Sequence, residues 1–323
     1  MKILLVRLSS MGDLIHTLPA VEDLARLRPD VELHWLCEAG FADIACLHPF
    51  VKKVHLLRWR QWRKQLGQAA TWRALADLRQ NLLAEGYDWV LDSQGLIKSV
   101  AFAKMANAPI KGLDAESARE RWAAYGYQQG FAVAKGQDAV LRNRLLFAQA
   151  FGYELPDELQ FGVRVPDEGR IEHLPACYHV ALHATSRDSK LWRQEYWLAL
   201  MEKLHQRDGA WVYLPWGNAQ EKARAEAMAA QLPFVRVCEP LTLLQAAYLL
   251  QHAQSVIGVD TGLLHLANAL NKPLVGIYTD TNPDKTGVQV SAVARNIGGE
   301  GQMPSADEVY TLLMQCVAAA NKA

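Results

Sequence analysis

Two short turns hold residue types suited to transferring a group onto a hydroxyl. In Ser9-Ser10-Met11-Gly12-Asp13 a carboxylate stands where a strand gives way to a helix. An aspartate there can serve as a general base on an incoming hydroxyl, worth roughly a hundred- to ten-thousand-fold in rate. It can equally be a helix cap. In Val259-Asp260-Thr261-Gly262-Leu263-Leu264-His265, Asp260 and Thr261 are capping types, and Gly262 lets another group approach the backbone. Free N–H groups and the positive end of a helix dipole then point at one place, a candidate phosphate cradle. An ordinary strand-to-helix turn explains the same residues without a ligand.

Other loops add charge. His183 to Trp192 contains the hydroxyls Thr185 and Ser186 and the cations Arg187 and Lys190, types that hold a diphosphate by charge-assisted bonds or form ion pairs in a solvated loop. Glu221, just after Leu214-Pro215-Trp216-Gly217, suits a ribose diol or a helix dipole. The segment from Ile44 to Ala76 has no acidic residue. It carries Lys52, Lys53, Arg58, Arg60, Arg63, Lys64 and Arg73 interleaved with Trp59, Trp62 and Trp72. That mixture fits lipid headgroups, stacked single-stranded nucleic acid, or a solvated basic face. Lys98, Arg119 and Arg121 extend the positive character. There is no D-x-D and no histidine pair at metal-ligand spacing, so a metal-dependent site is not expected. His16 and His265 sit on apolar helix faces and read as packing residues.

These turns need a scaffold of alternating strands and helices. In the first half, strands are expected at Lys2–Val6, Val31–Cys37, Val51–Leu57 and Tyr87–Asp92. Helical spacing runs from Leu14 to Pro29, with Pro19 expected to end or kink it, through Met105 after Ser93-Gln94-Gly95, and over Gln137–Phe151. Residues 152–176 are rich in glycine, proline and acids and read as an inter-domain segment. Strands at His179–His183, Ala210–Leu214, Phe234–Val237, Ser255–Val259 and Pro273–Tyr278 then alternate with helices, ending with one over Pro304–Ala319. Alternation in both halves predicts two parallel-sheet α/β domains whose ligand loops lie at the carboxyl ends of strands, across a cleft. The expected domains are 1–166 and 167–323, the last helix packing back on the first. Neither G-x-G-x-x-G nor G-x-x-x-x-G-K-[ST] occurs, which disfavours a dinucleotide dehydrogenase and a P-loop NTPase.

With 323 residues, half of them apolar and 21% charged, the chain is globular and long enough for two cores. A net charge of zero argues against a general nucleic-acid binder. Five scattered cysteines without C-x-x-C look like reduced thiols, so a cytoplasmic location is expected. No apolar run is long enough to span a bilayer, so membrane contact is expected to be peripheral.

Taken together, Ser9–Asp13 with His16-Thr17-Leu18-Pro19-Ala20, Arg60–Lys64, Asp92–Ser99, His183–Trp192, Pro215-Trp216-Gly217 with Glu221, and Val259–Leu266 resemble the heptosyltransferases of lipopolysaccharide core synthesis. The segments follow family order across nearly the whole chain. The resemblance implies a GT-B fold of two Rossmann-like domains, the first for the acceptor and the second for the donor. It implies inverting, metal-independent transfer of L-glycero-D-manno-heptose from its ADP derivative to a Kdo residue of Kdo-lipid A, at the cytoplasmic face of the inner membrane, with no cofactor. Asp13 would be the base. Thr185, Ser186, Lys190, Thr261, Gly262 and His265 would hold the diphosphate, Glu221 the ribose and Asp260 the heptose. Arg60, Arg63, Lys64, Lys98 and Arg119 would meet acceptor carboxylates and phosphates. After Ile277 the chain departs from the family pattern, with Tyr278-Thr279-Asp280-Thr281-Asn282-Pro283, and no donor role is assigned to that loop. Two alternatives stand beside this one: a related GT-B transferase with another donor or acceptor, and a non-catalytic nucleotide-sugar-binding or membrane-docking protein.

Overall fold

The computed structural model describes residues 1–185 and 187–322. They form two compact units, Met1–Arg164 and Val165–Ala323.

The first unit is built on β1 (Lys2–Val6), β2 (Glu32–Glu38), β3 (Val51–Leu57), β4 (Trp89–Asp92), β5 (Ile110–Leu113) and β6 (Gln129–Phe131). All pair in parallel, in the order β3-β2-β1-β4-β5-β6. This is the Rossmann order, with its reversal between β1 and β4. Ile3, Leu4, Leu5 and Val6 are all fully buried, as a strand covered on both faces must be. Strands β5 and β6 were not expected from the sequence. Ile110-Lys111-Gly112-Leu113 and Gln129-Gly130-Phe131 are too short and mixed to show an apolar run. Gly112 is glycine because the Tyr127 ring lies over it: a Cβ would fall 2.6 Å from a ring carbon.

The expected helix after β1 is two helices, Met11–Ile15 and Leu18–Leu27. Pro19 sits in the first turn of the second, where its missing N–H costs nothing, so the break falls before it. Helix Ala139–Phe151 starts at the Asp138 cap and stops at Gly152, whose φ of 71° suits glycine. Within it Arg144 grips the buried Asp23 at 2.6 Å and also donates to the carbonyls of Pro156 and Glu158. Much of the glycine- and proline-rich stretch is thereby tied down to the first unit. Elsewhere in this unit, buried His34 and His55 both bond the Tyr87 hydroxyl, and Glu85 bonds Lys2 and Lys53. His34, His55 and Glu85 bring their ligand-type atoms within 4.8 Å of one another, a clustering that sequence spacing did not reveal.

The second unit carries β7 (Tyr178–Leu182), β8 (Trp211–Leu214), β9 (Val235–Val237), β10 (Ser255–Val259), β11 (Leu274–Tyr278) and β12 (Ala294–Gly298). Its order is β12-β11-β10-β7-β8-β9, the same winding again, reversing between β7 and β10. The closing helix Ala306–Ala320 packs within the second unit. Its apolar stripe of Val309, Leu313 and Cys316 is consumed by the core of its own unit, beside Leu200, Leu204 and Ile277.

Candidate functional site

In an open α/β sheet, ligands bind where the strand order reverses, at the carboxyl ends of the strands. In the first unit that point lies between the loops after β1 and β4. The loops are stitched together. Leu8 N–H donates to Gln94 Oε1 at 2.7 Å, and Arg7 donates to the Ser93 carbonyl at 2.5 Å. Asp92, fully buried at the end of β4, receives the Gln94 N–H and the hydroxyls of Ser99 and Tyr127. Burial pushes its carboxyl above the usual range, and these donors oppose the rise.

Asp13 stands on this platform in the first turn of its helix. One oxygen accepts the Ser10 N–H at 2.6 Å and the Ser10 hydroxyl at 2.9 Å, and the other faces Arg7 at 3.3 Å. The side chain remains 34% exposed, so a ligand can reach it. The N-cap is Ser10 rather than Asp13, which accepts the cap's N–H from the third helical position and is at the same time an accessible base. A cavity of about 370 Å³ opens beside it, lined by Arg7, Asp13, Gln94, Arg119, Lys135 and Arg142. Four of these are cations and one is a carboxylate. Nε of Arg7 and Nε of Arg142 are buried without a hydrogen-bond partner in the protein. The cavity therefore suits an anionic ligand whose hydroxyl meets Asp13.

Of the residues expected to meet that ligand, only Arg119 lines the cavity. Arg60, Arg63 and Lys64 are exposed on the short helix Trp59–Trp62 and just beyond it. Arg60, Arg63 and Lys98 lie close enough to Glu38, at the end of β2, to pull down a carboxyl that burial raises. Two tryptophans of the basic segment are anchors, a correction to the interface reading. Trp62 is buried and Trp59 packs on Phe102, because both fill the apolar cluster around Leu36, Leu57 and Leu78. Trp72 is exposed, its indole N–H on the Leu66 carbonyl. Arg7, Lys135 and Arg142 were missed. Arg7 had a signal, its place directly after a buried strand. Lys135 and Arg142 lie in segments with no motif.

In the second unit the reversal brings together the loops after β7 and β10. Asp260 is the hub. Its Oδ2 accepts from Lys190 Nζ at 2.5 Å and from the Thr281 hydroxyl at 2.9 Å, and Oδ1 lies 3.9 Å from His265. Thr185 donates to the Asp260 carbonyl at 2.9 Å. Thr261 caps helix Gly262–Ala269 without a bond from its side chain to the first N–H groups of the helix, the end of a helix at which an anion is favoured. Lys190 and Asp260, expected to touch different parts of a donor, thus hold each other. Ser186 lies outside the described residues. Glu221 closes a turn by accepting the Gly217 N–H at 2.7 Å. Thr281 and Asp280, in the loop that departs from the family pattern, join the cluster: Asp280 accepts the Ser189 hydroxyl at 2.6 Å. His183, at the end of β7, has a buried Nε2 without a partner, and burial lowers its pKa to about 4.

Two Rossmann-order sheets in one chain, each with polar loops at its reversal point, define the GT-B class of α/β protein. The profile of glycosyltransferase family 9 (heptosyltransferase) matches residues 75–317. Lipopolysaccharide heptosyltransferase 1 of Pseudomonas aeruginosa is 42% identical over 294 residues, covering 89% of this chain and 81% of the relative. The solved structure of E. coli heptosyltransferase WaaC with ADP is similar at a TM-score of 0.89 and 35% identity, covering 98% of this chain and 100% of that one. WaaC with ADP-2-deoxy-2-fluoro heptose gives 0.83 and 34%, covering 100% and 98%. The chain belongs to glycosyltransferase family 9, the heptosyltransferases, and is therefore a glycosyltransferase.

Proposed function

We propose that this enzyme transfers L-glycero-D-manno-heptose from ADP-heptose to a Kdo residue of Kdo-lipid A, in lipopolysaccharide inner-core synthesis, with inversion at the anomeric carbon. The observation that carries the reading is the cavity beside Asp13, with four cations and a single carboxylate. Kdo is an acidic sugar, so its carboxylate suits Arg7, Arg119 and Arg142 while its hydroxyl meets Asp13. A lone carboxylate fits one direct displacement, in which the base takes the acceptor proton as the new glycosidic bond forms. The second unit supplies what the leaving diphosphate needs: Lys190, the Thr185 hydroxyl and the N–H groups opening helix Gly262–Ala269. Lys190 exchanges its Asp260 partner for phosphate when donor binds, and Asp260, with Thr281 beside it, turns to the heptose hydroxyls. Glu221 takes the ribose. Arg60, Arg63, Lys64 and Lys98 meet the remaining acceptor charges. ADP, which accompanies the similar E. coli enzyme in its solved structure, is the expected product. The relatives named for lipopolysaccharide support the acceptor class. A lipid-anchored acceptor places the enzyme on the cytoplasmic face of the inner membrane as a peripheral protein. No described helix is long and apolar enough to cross a membrane.

The test is turnover of purified protein on Kdo-lipid A with ADP-heptose against ADP-glucose. The reading expects ADP release and addition of one heptose with the first donor and little with the second. Equal use of both donors would refute the heptose assignment.

A further inference from the structure

The first unit exposes three large apolar side chains at one place. Ile97, Trp122 and Tyr125 are 54%, 66% and 71% exposed. They belong to two segments locked against each other. Glu120 N–H donates to the Gly95 carbonyl, and the Glu120 carboxylate receives the Ile97 N–H at 2.7 Å. Gly126 lies so close to Val100 that an added Cβ would fall 2.4 Å from its methyl. Ala123 is buried, which turns its neighbour Trp122 outward. The two aromatic rings lie 5.6 Å apart. This is a rigid aromatic prow rather than a loose loop.

Its surroundings are cationic. Lys98 follows Ile97, and Arg119 and Arg121 precede Trp122, with the Arg121 guanidinium 5.9 Å from the indole centre. Glu116 lies nearby in sequence, and Glu120 is engaged by the Ile97 N–H. Tryptophan and tyrosine with an apolar body and a polar tip, ringed by arginine and lysine, match the chemistry of a bilayer interface with anionic headgroups. The position fits as well: Arg119 lines the cavity beside Asp13, two residues before Arg121. We infer that Ile97, Trp122 and Tyr125 form a docking surface that inserts into the headgroup region of an anionic bilayer and presents the Asp13 cavity to lipid-anchored acceptor. The inference rests on the proposal that the acceptor is a lipid.

The experiment uses the full chain, the Trp122→Ser/Tyr125→Ser variant and the Trp122→Phe/Tyr125→Phe variant. Co-sedimentation is measured with vesicles of phosphatidylcholine alone and with added phosphatidylglycerol. Turnover is measured on Kdo-lipid A in the anionic vesicles and on its water-soluble deacylated form. The expected result is preference for anionic vesicles, about tenfold weaker partition for the serine variant, and recovery by the phenylalanine variant. The serine variant should raise KM on vesicle-borne acceptor and leave turnover of the soluble acceptor unchanged. Unchanged partition would overturn the inference. Equal loss on both acceptors would also overturn it, by assigning the aromatics to the acceptor sugar or to another protein surface. Wild-type protein that binds anionic vesicles through these residues but glycosylates neither acceptor would refute the heptose-transfer proposal and leave the docking surface standing.

Discussion

Asp13 has two jobs that one pair of substitutions can separate. As the capping-box partner of Ser10 it accepts the Ser10 N–H at 2.6 Å, and as a base it presents a partly exposed oxygen next to a cationic cavity. Asp13→Ala removes both. The loss of a capping-box bond costs about 0.3–1.5 kcal/mol. In a unit of this size that lowers Tm by roughly 1–6 °C. Asp13→Asn keeps an amide oxygen for the Ser10 N–H, so its Tm should fall less. Neither variant retains a carboxylate, so both should lose about a hundred- to ten-thousand-fold in kcat. That equals roughly 2.7–5.5 kcal/mol of transition-state stabilisation. Donor affinity should be nearly unchanged in both, because the residues assigned to the donor belong to the other unit. The assays are initial rates of ADP release, calorimetric titration with ADP-heptose, and thermal unfolding. Asp13→Asn turnover within about threefold of wild type would remove Asp13 as the base, whatever its effect on stability.

Three further outcomes are expected. Lys190→Ala should weaken ADP-heptose binding roughly tenfold to a hundredfold, the worth of a charge-assisted hydrogen bond, and equal calorimetric affinity would contradict its diphosphate role. Arg144→Ala should destabilise the chain by about 3–5 kcal/mol by stranding the buried Asp23 carboxylate, read as a lower denaturant midpoint; an unchanged midpoint would refute that pairing. His48, His55 and His183 are each lowered by burial to about 4, so between pH 6.5 and 4 the unfolded chain binds more protons than the folded one. Stability should be full above pH 6.5 and fall as pH drops toward 4. His183→Asn should flatten that slope in urea titrations, and a slope equal to wild type would show that His183 is not among the groups responsible.

The features visible in the sequence share a physical cause. Ile3 to Val6 is a continuous apolar run because a central parallel strand is buried on both faces, and the residues just past such a run must lie at its carboxyl end. That logic locates Asp13 and the Asp260 turn without coordinates. Sequence order does not reveal which polar loops meet. Asp260 joins Lys190, 70 residues away, and Thr281, 21 residues on, through three separate strand ends. Thr281 carried no donor role because its segment departs from the expected pattern, although the geometry places it on the same carboxylate as Lys190. Trp59 and Trp62 show the opposite failure. Composition marked them with their cationic neighbours, but only packing tells which side of a short helix turns inward.

The most direct test of the central claim is the anomeric configuration of the product. Heptose transferred from ADP-heptose to Kdo-lipid A would be examined by NMR for its linkage. A single displacement driven by Asp13 predicts complete inversion relative to the donor. A retained configuration would require a second nucleophilic step and would contradict the account.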